Sequence, residues 1–290
     1  MQCISRSIAL MTMMFERTLS LFCIGLLLPL SVQAWSVGGG GPSSDRRGFL
    51  VQTASKAAVA VGTASIGLNE AIGVENATTI YQPLPGSLAG QVHVITGAST
   101  GLGLESAKRL AAADATIVMT ARTDAKGDKA KSQVLDYLKE RSIRNKEIYV
   151  LTLDLSDFDS VRSFPERYEK MLGSRKIDVL MNNAGAINKK FELSKDGIER
   201  TFQSNHLGPF LLTSLLFPYL NRDGARVVNV SSYAHEVIPK VHKTGKPGLD
   251  MQNLNSEISY ASDGWEAYGQ TKLENVLFTE ELQRGQMQLV

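Results

Sequence analysis

Val92-His-Val-Ile-Thr-Gly-Ala-Ser-Thr-Gly-Leu-Gly103 decides how this chain is read. An apolar, β-branched run at 92–96 passes into glycines at 97, 101 and 103, and the helix-favouring stretch Leu104-Glu-Ser-Ala-Lys-Arg-Leu-Ala-Ala-Ala113 follows. A strand, a tight turn and a helix N-terminus in that order can seat a pyrophosphate. Glycines let the backbone approach closely, and the first turn of a helix offers unpaired N–H groups. The spacing G-x3-G-x-G departs from G-x-G-x-x-G, so the general dinucleotide fingerprint does not strictly apply and a plain turn is the competing reading. Thr96, Gly97, Ser99, Gly101, Leu102 and Gly103 are the candidate cofactor contacts here.

Outward from this stretch, strand-like and helix-like segments alternate. Apolar β-rich runs at 92–96, 115–120, 148–153, 178–181 and 226–230 are separated by helical stretches near 102–113, 124–140, 157–172 and 197–220. Such alternation predicts a Rossmann-type doubly wound parallel sheet with helices on both faces, the α/β class. Ligands on such sheets bind at the carboxyl ends of strands, near the switch in strand order.

The candidate residues lie at those places. The second strand ends in Met119-Thr-Ala-Arg122, where an acid would favour the free ribose of NAD. Arg122, with Lys126 one turn on, instead suits a 2′-phosphate and predicts NADP(H), against the reading of two solvated cations at a helix start. Asp154, in Leu153-Asp-Leu-Ser156, either contacts the adenine or helps cap the helix beginning near 157. In Asn182-Asn-Ala-Gly185, small residues at Ala184 and Gly185 admit the cofactor's backbone contacts, and amides such as Asn182 can also pin neighbouring strands. Asn205 lies in a helical stretch where Gly208-Pro209 should disturb regularity and free a carbonyl for water. The fifth strand delivers the hydroxyls of Val230-Ser-Ser232.

Tyr268 and Lys272 stand four apart in Trp265-Glu-Ala-Tyr-Gly-Gln-Thr-Lys-Leu-Glu-Asn275, a spacing that places both on one helical face. A phenol is a poor base near neutral pH, and a cation at roughly 4 Å, at an effective dielectric near 20, is worth about 4 kcal/mol to the phenolate. The pair taken alone is common on helices.

Composition narrows the remaining classes. The chain has 290 residues, 43% apolar and 21% charged, with a net charge of +2, so no nucleic-acid partner is implied. Cys3 and Cys23 both precede the predicted domain, and the four histidines (93, 206, 235, 242) lack ligand spacing, so no metal centre is expected. At the N-terminus, Arg17 precedes the apolar Leu19-Ser-Leu-Phe-Cys-Ile-Gly-Leu-Leu-Leu-Pro-Leu30, and Val32-Gln-Ala34 offers a cleavage site. Residues 1–34 therefore read as a signal peptide, with a membrane anchor as the alternative. Residues 35–90 read as a targeting segment and linker: Trp35 and a Ser/Gly stretch lead to Ser44-Asp-Arg-Arg-Gly-Phe-Leu50, which resembles a twin-arginine signal. This succession looks like the multipartite presequence of plastids of secondary origin. It implies a plastid destination, extending to the thylakoid lumen, with the secretory pathway or endoplasmic reticulum membrane as the alternative.

Taken in order, Thr-Gly-x3-Gly-x-Gly, Asp, Asn-Asn-Ala-Gly, Asn, Ser and Tyr-x3-Lys resemble the short-chain dehydrogenases/reductases across roughly 91–284. Asn205-His-Leu-Gly-Pro-Phe-Leu-Leu-Thr213 and Val228-Asn-Val-Ser-Ser-Tyr-Ala-His235 look most like the retinol-dehydrogenase-like branch. The resemblance implies a catalytic tetrad of Asn205, Ser232, Tyr268 and Lys272. Ser232 would hold the substrate oxygen, Tyr268 would exchange the proton, Lys272 would bind the nicotinamide ribose and assist Tyr268, and the Asn205 main chain would position a relay water. It implies NADP(H) and a small apolar alcohol or carbonyl substrate, is compatible with membrane proximity, and leaves oligomerisation open. Reduction of a tetrapyrrole double bond, as in the related protochlorophyllide reductases, and a non-catalytic dinucleotide sensor are the alternatives. Two departures stand out. Residues 233–264 form a longer connection than in simple members, with Pro239, Gly245, Pro247 and Gly248 marking a loop. The family's sixth strand and later helices have no counterpart before Val290, so a domain (91–290) incomplete at its C-terminus is expected.

Overall fold

A computed structural model describes residues 82–145, 147–237, 248–260 and 262–285. The predicted signal peptide, the targeting segment as far as residue 81, and Pro239, Gly245 and Pro247 lie outside the described residues.

Five parallel strands form one sheet in the order β3-β2-β1-β4-β5. They are β1 (Val92–Ile95), β2 (Thr116–Ala121), β3 (Ile148–Thr152), β4 (Val179–Asn182) and β5 (Arg226–Asn229). The helices between them are α1 (Gly101–Ala112), α2 (Asp124–Glu140), α3 (Phe158–Arg162), α4 (Phe164–Leu172), α5 (Arg200–Phe202) and α6 (Gly208–Leu216), followed by α7 (Ala234–Val237) and α8 (Trp265–Arg284). The chain builds outward from β1 through β2 to β3, then returns to place β4 on the other flank of β1. The switch in order thus falls between β1 and β4, and their carboxyl ends open the crevice where such sheets bind ligands.

Strand alternation divides the core between the two faces. Val92 and Val94 of β1 and Val118 of β2 pack with Phe164, Tyr168, Leu212 and Leu216 from α4 and α6. Ile95, Ile117 and Met119 point the other way, against Ala107 and Ala111 of α1 and Ala130, Val134 and Leu138 of α2. Leu88, in the stretch assigned to the linker, packs against this second cluster and donates its N–H to Ala113 O at 3.0 Å.

Two helical stretches are interrupted where proline demands it. The segment predicted as one helix over 157–172 breaks at Ser163, because Pro165 has no N–H for the carbonyl of residue 161 and its ring crowds that oxygen. In 197–220, a π-helical turn (Gln203–Leu207) separates α5 from α6, and Gly208 N donates to Gln203 O. Pro209 cannot supply the N–H that would bond Asn205 O in a regular helix, so that carbonyl is released from the helical ladder.

Candidate active site

A cleft of about 880 Å³ runs along the carboxyl ends of β1, β2, β3 and β4. Gly97, Ser99, Gly101 and Leu102 form one wall; Ala184 and Gly185 lie opposite, Asp154 closes one side, and Arg122 and Lys126 stand at the far end. The first turn is built by packing as much as by sequence. Gly97 has a left-handed φ of +63°, and a side-chain carbon there would stand 2.8 Å from Ala184 Cα. Thr96, fully buried, accepts the N–H groups of Asn183 and Ala184 at 3.0 Å on its hydroxyl, fastening the end of β4 to the end of β1. Gly103 and Thr96 support this wall from behind, since neither borders the cleft.

At the far end, Arg122 follows β2 directly and is joined by Lys126 and by Lys129, a residue sequence reading did not single out. None of the three has an ion-pair partner among the described residues, which leaves a cationic end suited to a phosphate. Asp154 accepts from Ser156 N at 2.9 Å and Ser156 Oγ at 2.7 Å through the same oxygen, forming a tight turn beside the cleft. The cap of α3 is instead Asp157, whose carboxylate receives the N–H groups of Asp159 and Ser160. Of the two alternatives for Asp154, the cleft-facing one fits this geometry.

Asn182, a candidate cofactor contact, points away from the cleft. Its amide donates to Thr213 Oγ1 at 3.0 Å and Asn229 Oδ1 at 2.8 Å, pinning β4 to α6 and β5. Asn183 is the residue on the cofactor side, lining the cleft and donating to Thr96 O at 2.9 Å. Both faces of β4 are covered, so no periodicity in the residues distinguishes the two amides.

The catalytic candidates gather at the opposite end. Lys272 lies only 3% exposed, and its Nζ donates to Val230 O at 2.9 Å and stands 5.5 Å from the centre of the Tyr268 ring. A side-chain carbon at Gly185 would be 3.2 Å from that Nζ and 3.7 Å from Asn205 Oδ1, so lysine, asparagine and the cleft wall meet there. Burial depresses the Lys272 ammonium to about 8. Asn205 clamps Ala186 from both sides, accepting its N–H at 2.9 Å and donating to its carbonyl at 2.8 Å, and reaches Thr271 Oγ1 at 3.3 Å. The released carbonyl of Asn205 accepts from Asn275 Nδ2 at 3.2 Å, and its second lone pair remains for a further donor. Because that amide group donates to a carbonyl, its oxygen must be the acceptor for His206 Nδ1–H at 3.1 Å; burial holds His206 neutral, at about 4.

Ser232 accepts Ala234 N at 3.3 Å and so turns the chain into α7, which packs against α8. Its neighbour Ser231 donates to Lys272 O at 2.8 Å and ties β5 to α8. Trp265 packs edge-on to Tyr268, ring centres 5.7 Å apart, and the aromatic side chains of Trp265 and Tyr233 are both exposed. Sequence reading missed Asn275 and Glu199. Asn275 is an ordinary polar residue on a helix and Glu199 one just before a helix, and only the folded chain shows that they are buried.

The short chain dehydrogenase family model matches residues 91–242. Retinol dehydrogenase 12 of Mus musculus is 40% identical over 196 residues, covering 67% of this chain and 56% of that protein. The chloroplastic short-chain dehydrogenase TIC 32 B of Brassica napus is 35% identical over 197 residues, covering 66% and 57% respectively. The chain thus spans somewhat over half the length of these relatives. Among solved structures, an uncharacterised protein from Mycobacterium paratuberculosis superimposes with a TM-score of 0.55 at 40% identity, covering 70% of this chain and 64% of its own. A metagenomic short-chain oxidoreductase in complex with NADP gives 0.50 at 26% identity, covering 69% and 79%.

Proposed function

The chain belongs to the short-chain dehydrogenase family, and from that premise we propose that it is an NADP(H)-dependent oxidoreductase interconverting an alcohol and a carbonyl on an apolar substrate. One observation carries the reading: Lys272 and Asn205 converge on Gly185, with the Tyr268 ring beside the Lys272 ammonium, at one end of a cleft whose other end is cationic. The residues fit the dinucleotide they would hold. The 97–102 backbone and Ala184–Gly185 flank its length, Asp154 lies to one side, and Arg122, Lys126 and Lys129 supply charge for a 2′-phosphate. The likeness to a solved oxidoreductase in complex with NADP supports the choice.

When bound, the nicotinamide supplies or receives the hydride. The chain handles the proton and the geometry. In the reducing direction Tyr268 donates its phenolic proton to the oxygen of the carbonyl, and Ser232 holds that oxygen. The Lys272 ammonium stabilises the phenolate left behind, and solvent reaching the free lone pair of Asn205 O returns the proton. Oxidation of an alcohol runs the same transfers backward. The exposed aromatic side chains of Trp265 and Tyr233 favour an apolar substrate, and the likeness to retinol dehydrogenase 12 points the same way.

Residues 1–34 and 35–90 are proposed to deliver the domain to the plastid, a reading supported by likeness to a chloroplastic relative. No described helix is long and apolar enough to cross a membrane. The function is tested by following NADPH and NADH oxidation across ketones, aldehydes, retinoids and tetrapyrroles. Turnover of a carbonyl substrate with NADPH supports the proposal. Binding of NADPH without turnover of any of these substrates would leave a sensor.

A further inference from the structure

The described residues of the segment 248–264 do not line the cleft, yet they are bonded to both arms that carry the catalytic candidates. Tyr260 is its centre. Its hydroxyl donates to Asn188 O at 2.5 Å and lies 3.4 Å from Glu199 Oε1, and its ring packs edge-on to Phe191 at 5.8 Å.

Each of the two acceptors leads to a different arm. Glu199 is fully buried, and its carboxylate receives Thr201 N at 2.9 Å and Phe202 N at 2.7 Å, which starts α5 and the π turn holding Asn205. The Glu199 N–H in turn donates to Asn255 Oδ1 at 2.7 Å, a second bond from the same segment. On the other side, Asn188 O is the surface against which α8 begins. Gly264, immediately before α8, has φ of +81°, and a side-chain carbon there would collide with Asn188 O and stand 2.8 Å from the Tyr260 hydroxyl. A glycine gives α8 no side-chain cap, so the helix entry direction has to be set by what Gly264 packs against. Asp250 N adds a tie to Gln270, in the second turn of α8, at 2.9 Å.

We propose that Tyr260 is a positioning residue. Its hydroxyl sets the spacing between the Asn205 turn and the first turn of the Tyr268 helix, and residues 248–264 act as a brace across the two arms. This rests on the reading of Tyr268 as the proton-transfer group. Burial, together with the charge of Glu199, holds the Tyr260 phenol above its ordinary range, so it stays a donor at neutral pH. A displacement of about 1 Å between reacting groups can cost on the order of a hundredfold in rate, so a brace of this kind acts on kcat before it acts on cofactor binding.

The test compares Tyr260→Phe with Phe191→Leu in the full chain. Tyr260→Phe keeps the ring and loses only the hydroxyl. It is expected to lower kcat by about ten- to a hundredfold, with KM for NADPH within about twofold. Amide exchange should quicken in both 265–270 and 203–207, and stay unchanged at 97–103. Phe191→Leu removes the ring contact but keeps the hydroxyl bond, and kcat should stay within about twofold of the parent. A parent-like kcat in Tyr260→Phe, or quickened exchange confined to 248–264, overturns the brace; so does a lost kcat with unchanged exchange in either arm. If the parent itself turns over none of the substrates, the exchange pattern alone decides the brace, and the reading of Tyr268 falls separately.

Discussion

The two ends of the cleft are built by different physics. At the cofactor end, residues 92–140 go from strand to turn to helix with almost no intervening chain, and α1 and α2 bury small and apolar residues: Ala107 and Ala111, then Ala130, Val134 and Leu138. At the catalytic end, α8 buries Gln270, Thr271, Lys272, Glu274 and Asn275 with only Ala267, Gly269 and Phe278 beside them. One end is an apolar scaffold with a backbone loop at its tip. The other is a polar network drawn from β4, the π turn, β5 and α8, in which the bonds at Asn205, Lys272 and Asn275 join residues distant in sequence. Buried polar groups are costly unless fully paired, so the catalytic end depends on contacts that must all be present together.

That difference predicts that lesions at the catalytic end cost rate and lesions at the cofactor end cost affinity. The largest expected effect is Tyr268→Phe, which keeps the ring against Trp265 and removes the proton. The rate should fall by roughly a thousandfold or more, with NADPH affinity within about twofold. Substantial residual turnover would remove Tyr268 from proton transfer. Lys272→Ala is expected to fail in both respects, since its ammonium sits between Tyr268 and Gly185: kcat should fall by about a hundredfold and NADPH affinity by about tenfold. A purely kinetic defect, read from fluorescence titration of NADPH beside kcat, would confine Lys272 to the catalytic role.

The same contrast explains how far the sequence could be read. All five strands lie within one or two residues of their predicted limits, because β-branched runs bounded by turn residues carry that signal locally. Gly97 was legible for the same reason. The disturbance near Asn205 could also be foreseen, since Pro209 lacks the N–H that a regular helix would demand. What the sequence could not disclose was which of two adjacent asparagines faces the cleft, or that Glu199 and Asn275 are buried hubs. Those facts depend on partners tens of residues away, and polar residues at helical spacing read as a solvated face.

A smaller effect sharpens the contrast through pH. Glu274 is 2% exposed, neither carboxyl oxygen has a hydrogen-bond partner among the described residues, and burial pushes it up to about 8 from an ordinary 4.5. Between those values the folded chain keeps a proton that the unfolded chain has lost, so the contribution of Glu274 to stability falls as pH rises from 4.5 to 8 and then levels. Lys272 acts in the opposite sense: its folded value of about 8 lies below 10.5, so between them the unfolded chain holds the extra proton and stability recovers with rising pH. The summed contribution of these two groups therefore passes through a minimum near pH 8. Replacing Glu274 with Leu should stabilise the chain by roughly 3 kcal/mol at pH 8 and by about 1 kcal/mol or less at pH 4.5, measured by urea unfolding. An advantage for the leucine variant that does not grow between those two pH values would show that Glu274 has found a partner or water.

The smallest effect belongs to the cofactor end. Arg122 is exposed, follows β2 directly and has no ion-pair partner among the described residues, so its removal should leave the fold and the catalytic network undisturbed. Its guanidinium is assigned one charged, hydrogen-bonded contact to a 2′-phosphate, worth about 1.5–3 kcal/mol. Arg122→Ala should therefore weaken NADPH binding by roughly ten- to a hundredfold, leave NADH binding nearly unchanged, and keep kcat at saturating cofactor. Lys126 and Lys129 border the same end and would retain part of the phosphate's attraction, which keeps the expected loss toward the lower part of that range. The discriminating measurement is the ratio of the two dissociation constants, not either value alone. A substitution that merely loosened the start of α2 would weaken both cofactors alike. Equal losses for NADPH and NADH would show that Arg122 does not read the 2′-phosphate, and would remove the cationic end of the cleft as the basis of cofactor choice.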